Sequence, residues 1–131
     1  MTHLEEGETY VHERTFTEAD VADFADVTGD TQDIHTEPDE DGRLVVHGLL
    51  TGSLMTKIGG DLEVLASEMV FHFRKPVYTG DRIRCTWTND RVVDHPEGQQ
   101  LEATAVYERL DDDGTPEETV LEASAEGIVF E

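Results

Sequence analysis

At 131 residues, 37% of them hydrophobic, the chain has the length of one domain, spanning 1–131, and the apolar content for one modest core. Its 31 Asp and Glu against nine Lys and Arg give a formal net charge of −22 at pH 7, which repels nucleic acid and anionic membrane surfaces and argues against both as partners. No stretch approaches the roughly 18 apolar residues of a membrane span, and the acidic start Met1–Glu8 has no basic region followed by an apolar run, so a soluble, cytoplasmic protein is expected.

Residues 9–16 alternate and are rich in β-formers, which predicts an opening strand. Thr17 with Asp20 makes a capping box, Val21, Phe24, Ala25 and Val27 follow at helical spacing, and Gly29 stops the segment, so a helix is predicted over 18–28. Residues 30–45 are polar, with Pro38, Gly42 and a run of acids. A loop of that length inside a small domain is expected to carry function. Over 49–60, Leu50, Leu54 and Ile58 recur at i, i+4, i+8, predicting a buried helix that the pair Gly59-Gly60 closes. Small Gly52 and Ser53 would let a sheet approach it closely. The pattern then turns to strands: Met69, Phe71 and Phe73; Ile83, Cys85 and Trp87; Leu101 to Tyr107; Leu121 to Ala125. Turns at 78–81, 95–98 and 111–114 separate them, so four consecutive strands are expected as an antiparallel meander. The result is an α+β arrangement, a curved antiparallel sheet wrapped around a central helix.

Acid on this scale suits concentrated salt, where a Debye length of about 3 Å at 1 M screens the self-repulsion. The surplus charge is therefore read as halophilic adaptation of a folded surface and not as a site. Cys85 stands alone, which excludes an intrachain disulfide, and its alternation position makes it core filler. The six histidines, His3, His12, His35, His47, His72 and His95, show no i, i+4 pair and no cluster with cysteine, so no metal is expected. Five of the nine basic residues, Arg74, Lys75, Arg82, Arg84 and Arg91, fall in one short stretch. They are either a landing patch for phosphates or cross-strand partners of the many carboxylates.

Residues 28–35 read Thr-Gly-Asp-Thr-Gln-Asp-Ile-His, and His47-Gly48 stands at the mouth of the second helix. Taken singly, Asp30 fits a turn residue bonding its own backbone, His35 a solvated loop histidine, and His47 a helix-entry residue. Together Gly29, Asp30, Ile34, His35, His47 and Gly48 resemble the motif of the MaoC-like family of (R)-specific enoyl-CoA hydratases. The segment from Phe71 to Asp81 is similar to that family's strand and turn, and the resemblance spans most of 15–130. Gln32 and Asp33 stand where the family pattern has Asn and Pro, which is expected to loosen the loop aiming His35 and to put a third carboxyl near the site.

The resemblance implies a single hotdog fold and a lyase interconverting an enoyl-CoA with its 3-hydroxyacyl-CoA in fatty acid metabolism, with Asp30 and His35 as the catalytic pair. Hydration needs a base for water, an acid for the adjacent carbon and donors for the enolate-like oxygen. Which of the two residues takes the proton stays open, because neighbouring titrating groups share protons as a unit. The N–H of Gly48, opening the apolar helix, would hold the thioester oxygen, and the missing side chain would let that oxygen approach. His47, Leu49, Arg74 and Lys75 are the candidate substrate-binding residues, and the only cofactor expected is the CoA of the substrate.

An exposed sheet edge calls for a homodimer or higher homo-oligomer. Two alternatives keep the fold. A thioesterase would use a carboxylate on or beside the helix, with Asp61 available and Glu63 and Glu68 beyond it. A non-catalytic acyl-CoA-binding subunit would bind without turnover.

Overall fold

The computed structural model describes residues 3–131; Met1 and Thr2, the first of the acidic N-terminal stretch, lie outside them. The elements are β1 (Thr9–Thr15), α1 (Glu18–Thr28), α2 (Asp33–Thr36), α3 (Gly48–Gly52), α4 (Leu54–Asp61), β2 (Leu65–Phe73), β3 (Arg82–His95), β4 (Gly98–Leu110) and β5 (Pro116–Phe130).

α1 forms where its caps predict it. Thr17 Oγ1 accepts from Asp20 N–H at 3.1 Å, Asp20 Oδ2 accepts from Thr17 N–H at 3.0 Å, and Gly29 ends the helix at φ 79°. A cap of this kind is worth about 1 kcal/mol. Val21 and Ala25 are its buried residues, whereas Val27, expected on the same face, is 85% exposed.

All five strands join one sheet in the order β1-β3-β4-β5-β2, every pairing antiparallel. The meander is therefore β3-β4-β5 only; β2 crosses to the far edge and pairs with β5. Arg74 and Lys75 N–H both turn onto Val120 O, Pro76 has no N–H to continue a ladder, and Val46 N–H bonds Val77 O. The chain between β2 and β3 thus runs across the end of the sheet instead of folding into a hairpin.

The sheet curls around α3 and α4. Leu54, Met55 and Ile58 share one core with Ile83, Cys85 and Trp87, and the inward positions of β4 and β5 include Ala103, Ala105, Ala123 and Ala125, whose small side chains make room for the helices. The predicted single helix over 49–60 is two. Tyr107, fully buried, donates its hydroxyl to Gly52 O and accepts Met55 N–H at 3.3 Å, so a side chain from β4 stands inside the helical ladder and breaks it at Ser53. Gly52 is where the sheet side comes close: a Cβ there would lie 2.9 Å from the Phe71 ring.

Leu4, in a segment where no element was expected, is buried. Its N–H and C=O are bonded by the buried Gln99 amide at 2.8 and 3.1 Å, which ties the N-terminal segment to the core. Cys85 is fully buried, as core filler should be, and burial pushes its thiol pKa up to about 12.

Candidate active site

Gly29 at the end of α1 turns the chain so that Asp30 enters the long loop. The Asp30 N–H is held by Thr28 Oγ1 at 3.2 Å, and its Oδ1 accepts from the Gln32 side-chain amide at 2.9 Å and from Gln32 N–H at 3.4 Å. Asp30 therefore does make the short-range turn contacts expected of such a residue, and its Oδ2 is left for something else. Three residues on, the loop winds into α2, a single turn the sequence did not announce. It fixes His35, which is buried and not solvated.

The His35 ring is anchored from behind. Nδ1 donates to Val45 O at 2.7 Å, because a carbonyl only accepts, while Val45 N–H bonds Ile34 O at 2.9 Å. In the neutral ring this assigns the lone pair to Nε2, which faces Asp30 Oδ2 at 3.7 Å. That gap is too long for a hydrogen bond, so the two acceptors converge on shared space instead of satisfying each other. His47 stacks on His35, centroids 3.7 Å apart and 17° between planes, and its Nε2 donates to Asp30 O at 2.9 Å. The ring of Phe24 also packs on His47, tilted by 58° with centroids 4.9 Å apart. His47 thus ties the Asp30 turn to the helix entry and backs the His35 ring.

Gln32, through its side-chain amide first and its backbone N–H after, holds the Asp30 carboxyl below the usual carboxylate range; the fields of His35 and His47 add to this. At the pair Gln32-Asp33, expected to loosen the loop, the structure places two contacts from Gln32 to Asp30. Gln32 clamps Asp30, and Asp33 opens α2 with its side chain exposed, outside the cleft.

Asp30, His35 and Gly48 line a cleft of ≈ 450 Å³ together with Phe73, Arg74 and Lys75. Gly48 is the first residue of α3, so its N–H has no partner within the helix. What a side chain at Gly48 would meet is the ring of Phe73, at 2.8 Å. The glycine thus makes room for the aromatic wall, a different reason from the close approach of an oxygen expected above.

The remaining candidates divide. Arg74 and Lys75 line the cleft, each paired to a carboxylate: Glu122 at 3.0 Å and Glu118 at 3.8 Å. The other three basic residues of the stretch are also paired, Arg82 and Arg84 with Glu13 and Arg91 with Glu102, so the cross-strand reading holds for them. Leu49 does not line the cleft and is 60% exposed, because it follows Gly48 by about 100° around the helix. His47 lies behind His35 and not against the cleft. Asp61 is exposed and ion-paired to Lys57, away from the cleft. Site residues the sequence did not single out are Thr51, Phe73 and the Val45 carbonyl; Gln32, noted there only as a departure from the family pattern, proves to be the clamp on Asp30.

Asp30, His35 and His47 also bring potential ligand atoms within 4.8 Å of one another. A metal-bound imidazole points an in-plane lone pair at the ion. Two rings stacked in nearly parallel planes, each with one nitrogen already held by a carbonyl, fit that need poorly.

The chain matches the model of the MaoC like domain over residues 2–109. It is 33% identical over 93 residues to the mitochondrial 3-hydroxyacyl-[acyl-carrier-protein] dehydratase of Arabidopsis thaliana, a stretch that covers 63% of this chain and 54% of that protein. The chain thus spans about half the length of the curated relative it matches. Among solved structures, the unliganded R-hydratase PhaJ1 of Pseudomonas aeruginosa superposes with a TM-score of 0.79 at 20% identity, over 98% of this chain and 83% of that one. A Mycobacterium tuberculosis protein with a double hotdog fold does so with a TM-score of 0.78 at 17% identity, over 94% of this chain and 38% of that one. These structural likenesses establish the hotdog fold.

Proposed function

Since the chain belongs to the MaoC-like domain family of hydratases and dehydratases, we propose that it adds water to an enoyl-CoA, and removes it from the 3-hydroxyacyl-CoA, with Asp30 and His35 handling water and proton. The observation that carries this reading is the pair itself. The free Nε2 of His35 and Oδ2 of Asp30 stand 3.7 Å apart, unsatisfied by each other, at a cleft that Gly48 also lines.

A water placed between the two is held by two acceptors. The pair removes one proton as the water oxygen bonds the β-carbon, and returns one proton to the α-carbon, ending in its starting state. The Gly48 N–H, at the positive end of α3, donates to the thioester oxygen as negative charge builds there. Val45 and His47 keep the His35 ring from turning.

Arg74 and Lys75 are the proposed contacts to the CoA phosphates. The Arg74–Glu122 pair is exposed, and exposed pairs are worth about 0–1 kcal/mol, so a phosphate displaces that carboxylate at little cost; Lys75 sits 3.8 Å from the half-buried Glu118, which Arg109 also holds, and so can turn to a phosphate without leaving Glu118 unpaired.

The working unit is proposed to be a homodimer formed along β2. That edge strand exposes Leu65, Met69, Val70 and Phe73 and carries one acid, Glu68, in a chain where acids otherwise crowd the surface. It is where two copies of so negative a chain can meet with least repulsion.

The test is the loss of enoyl absorbance from crotonyl-CoA in molar KCl. Wild type is expected to turn over, and Asp30→Asn and His35→Ala each to lose roughly a hundredfold or more, the scale of a lost general acid or base. Folded wild type without turnover, or full activity in either variant, overturns the proposal.

A further inference from the structure

A second, apolar cavity of ≈ 160 Å³ lies beyond the catalytic cleft, lined among others by Met55, Gly59, Met69, Trp87 and Ala125. No charged residue lines it, in a chain with 31 acids. The hydration chemistry makes no use of it.

Its position follows from the β2–β5 register. The cleft touches Thr51 and Gly48 on the helical side and Phe73 and Leu121 on the sheet side; the slot touches Met55 and Gly59, then Met69 and Ala125. Phe73 pairs with Leu121 and Met69 with Ala125 in one ladder, so the two cavities follow one another along the same helix–sheet seam, their β2 residues about 13 Å apart at the strand rise. Two strand residues advance about 6.7 Å and four helical residues about 6 Å, so Phe73 and Phe71 step past Gly48 and Gly52 in register. A Cβ at Gly48 would lie 2.8 Å from the first ring, and one at Gly52 2.9 Å from the second.

Phe71 lines neither cavity and stands between them. It pairs with Ala123, its ring packs on Gly52, and it stacks on Phe73 with centroids 6.0 Å apart and 20° between planes. We infer that Phe71 determines acyl-chain length: its ring closes the groove between the catalytic cleft and the apolar slot, restricting the wild type to short chains. The slot is the place that the distal methylenes of a longer chain would occupy once the ring is removed. The inference rests on the acyl-thioester reading above.

The test uses saturated acyl-CoA thioesters from butyryl to decanoyl, which bind but do not react, titrated calorimetrically in molar KCl. Wild-type affinity is expected to stop rising after the shortest chains. In Phe71→Ala each further methylene should tighten binding about fourfold, the worth of one buried CH₂, until the slot is full. Phe71→Leu reads the same trend more weakly if the alanine variant does not fold. Thr56 lines the slot from its exposed rim, so Thr56→Trp added to Phe71→Ala should fill the slot and abolish the gain without touching the core.

Equal chain-length slopes in wild type and Phe71→Ala overturn the inference. Wild-type hydration of crotonyl-CoA, run alongside, separates the two readings. Turnover with equal slopes sinks only the role of Phe71; steeper slopes without turnover sink only the reaction; no binding of any acyl-CoA sinks both.

Discussion

Replacing Tyr107 by Phe removes one oxygen from a place with no solvent. The hydroxyl donates to Gly52 O and accepts Met55 N–H, and the residue is fully buried. Losing it strands one acceptor and one donor, each costing about 1–3 kcal/mol when buried and unpaired. The penalties do not simply add, because the helix can partly rewind and return Met55 N–H to the Thr51 carbonyl, leaving Gly52 O as the uncompensated group. A net loss of about 2–3 kcal/mol is expected, and for a chain of this size about 3–5 °C of Tm goes with each kcal/mol, giving a fall of roughly 6–15 °C. Rewinding would also turn α3 relative to α4 and carry Gly48 with it, so kcat/KM for crotonyl-CoA should fall while Asp30 and His35 are untouched. Calorimetric melting and turnover, both in molar KCl, measure the two effects. A Tm within about 2 °C of wild type would refute the claim that this hydroxyl holds the helix break.

In Gln32→Met, Asp30 loses the strongest of the contacts that hold its carboxyl low, so its pKa rises toward the ordinary carboxylate value. A low pKa keeps the carboxylate charged to lower pH, so the acid limb of kcat/KM should move to higher pH in the variant; a limb that stays put or moves down refutes this. Cys85, with its thiol pushed up to about 12 by burial, should release no chromophore from an aromatic disulfide reagent at pH 8 until denaturant is added; rapid reaction in the folded protein would contradict the buried placement. KM for crotonyl-CoA should fall from dilute buffer to molar KCl, since screening a chain of charge −22 lets the anionic CoA approach. A flat or rising KM counts against the salt-adaptation argument.

α1 was legible in the sequence down to its caps, because a capping box and a C-terminal glycine are contacts between residues one turn apart. The β2 to β5 strands and the turns between them were legible because alternation and turn chemistry are equally local, and the Asp30, His35 and Gly48 grouping because two short segments carry a family's pattern. None of that reaches across the fold. That β2 pairs with β5 and not β3 depends on which edge the chain can reach once the helices lie in the sheet. Tyr107 breaks a helix 52 residues away in sequence, and the carbonyl that sets the His35 tautomer belongs to Val45. His47 backs His35 and Phe71 divides the groove only because burial brings them there. The sequence alone determined which residues could do the chemistry and which local elements carry them, since those are matters of side-chain type and near-neighbour hydrogen bonds. The tertiary structure decided what each residue faces, since that is set by long-range packing whose partners no local period specifies.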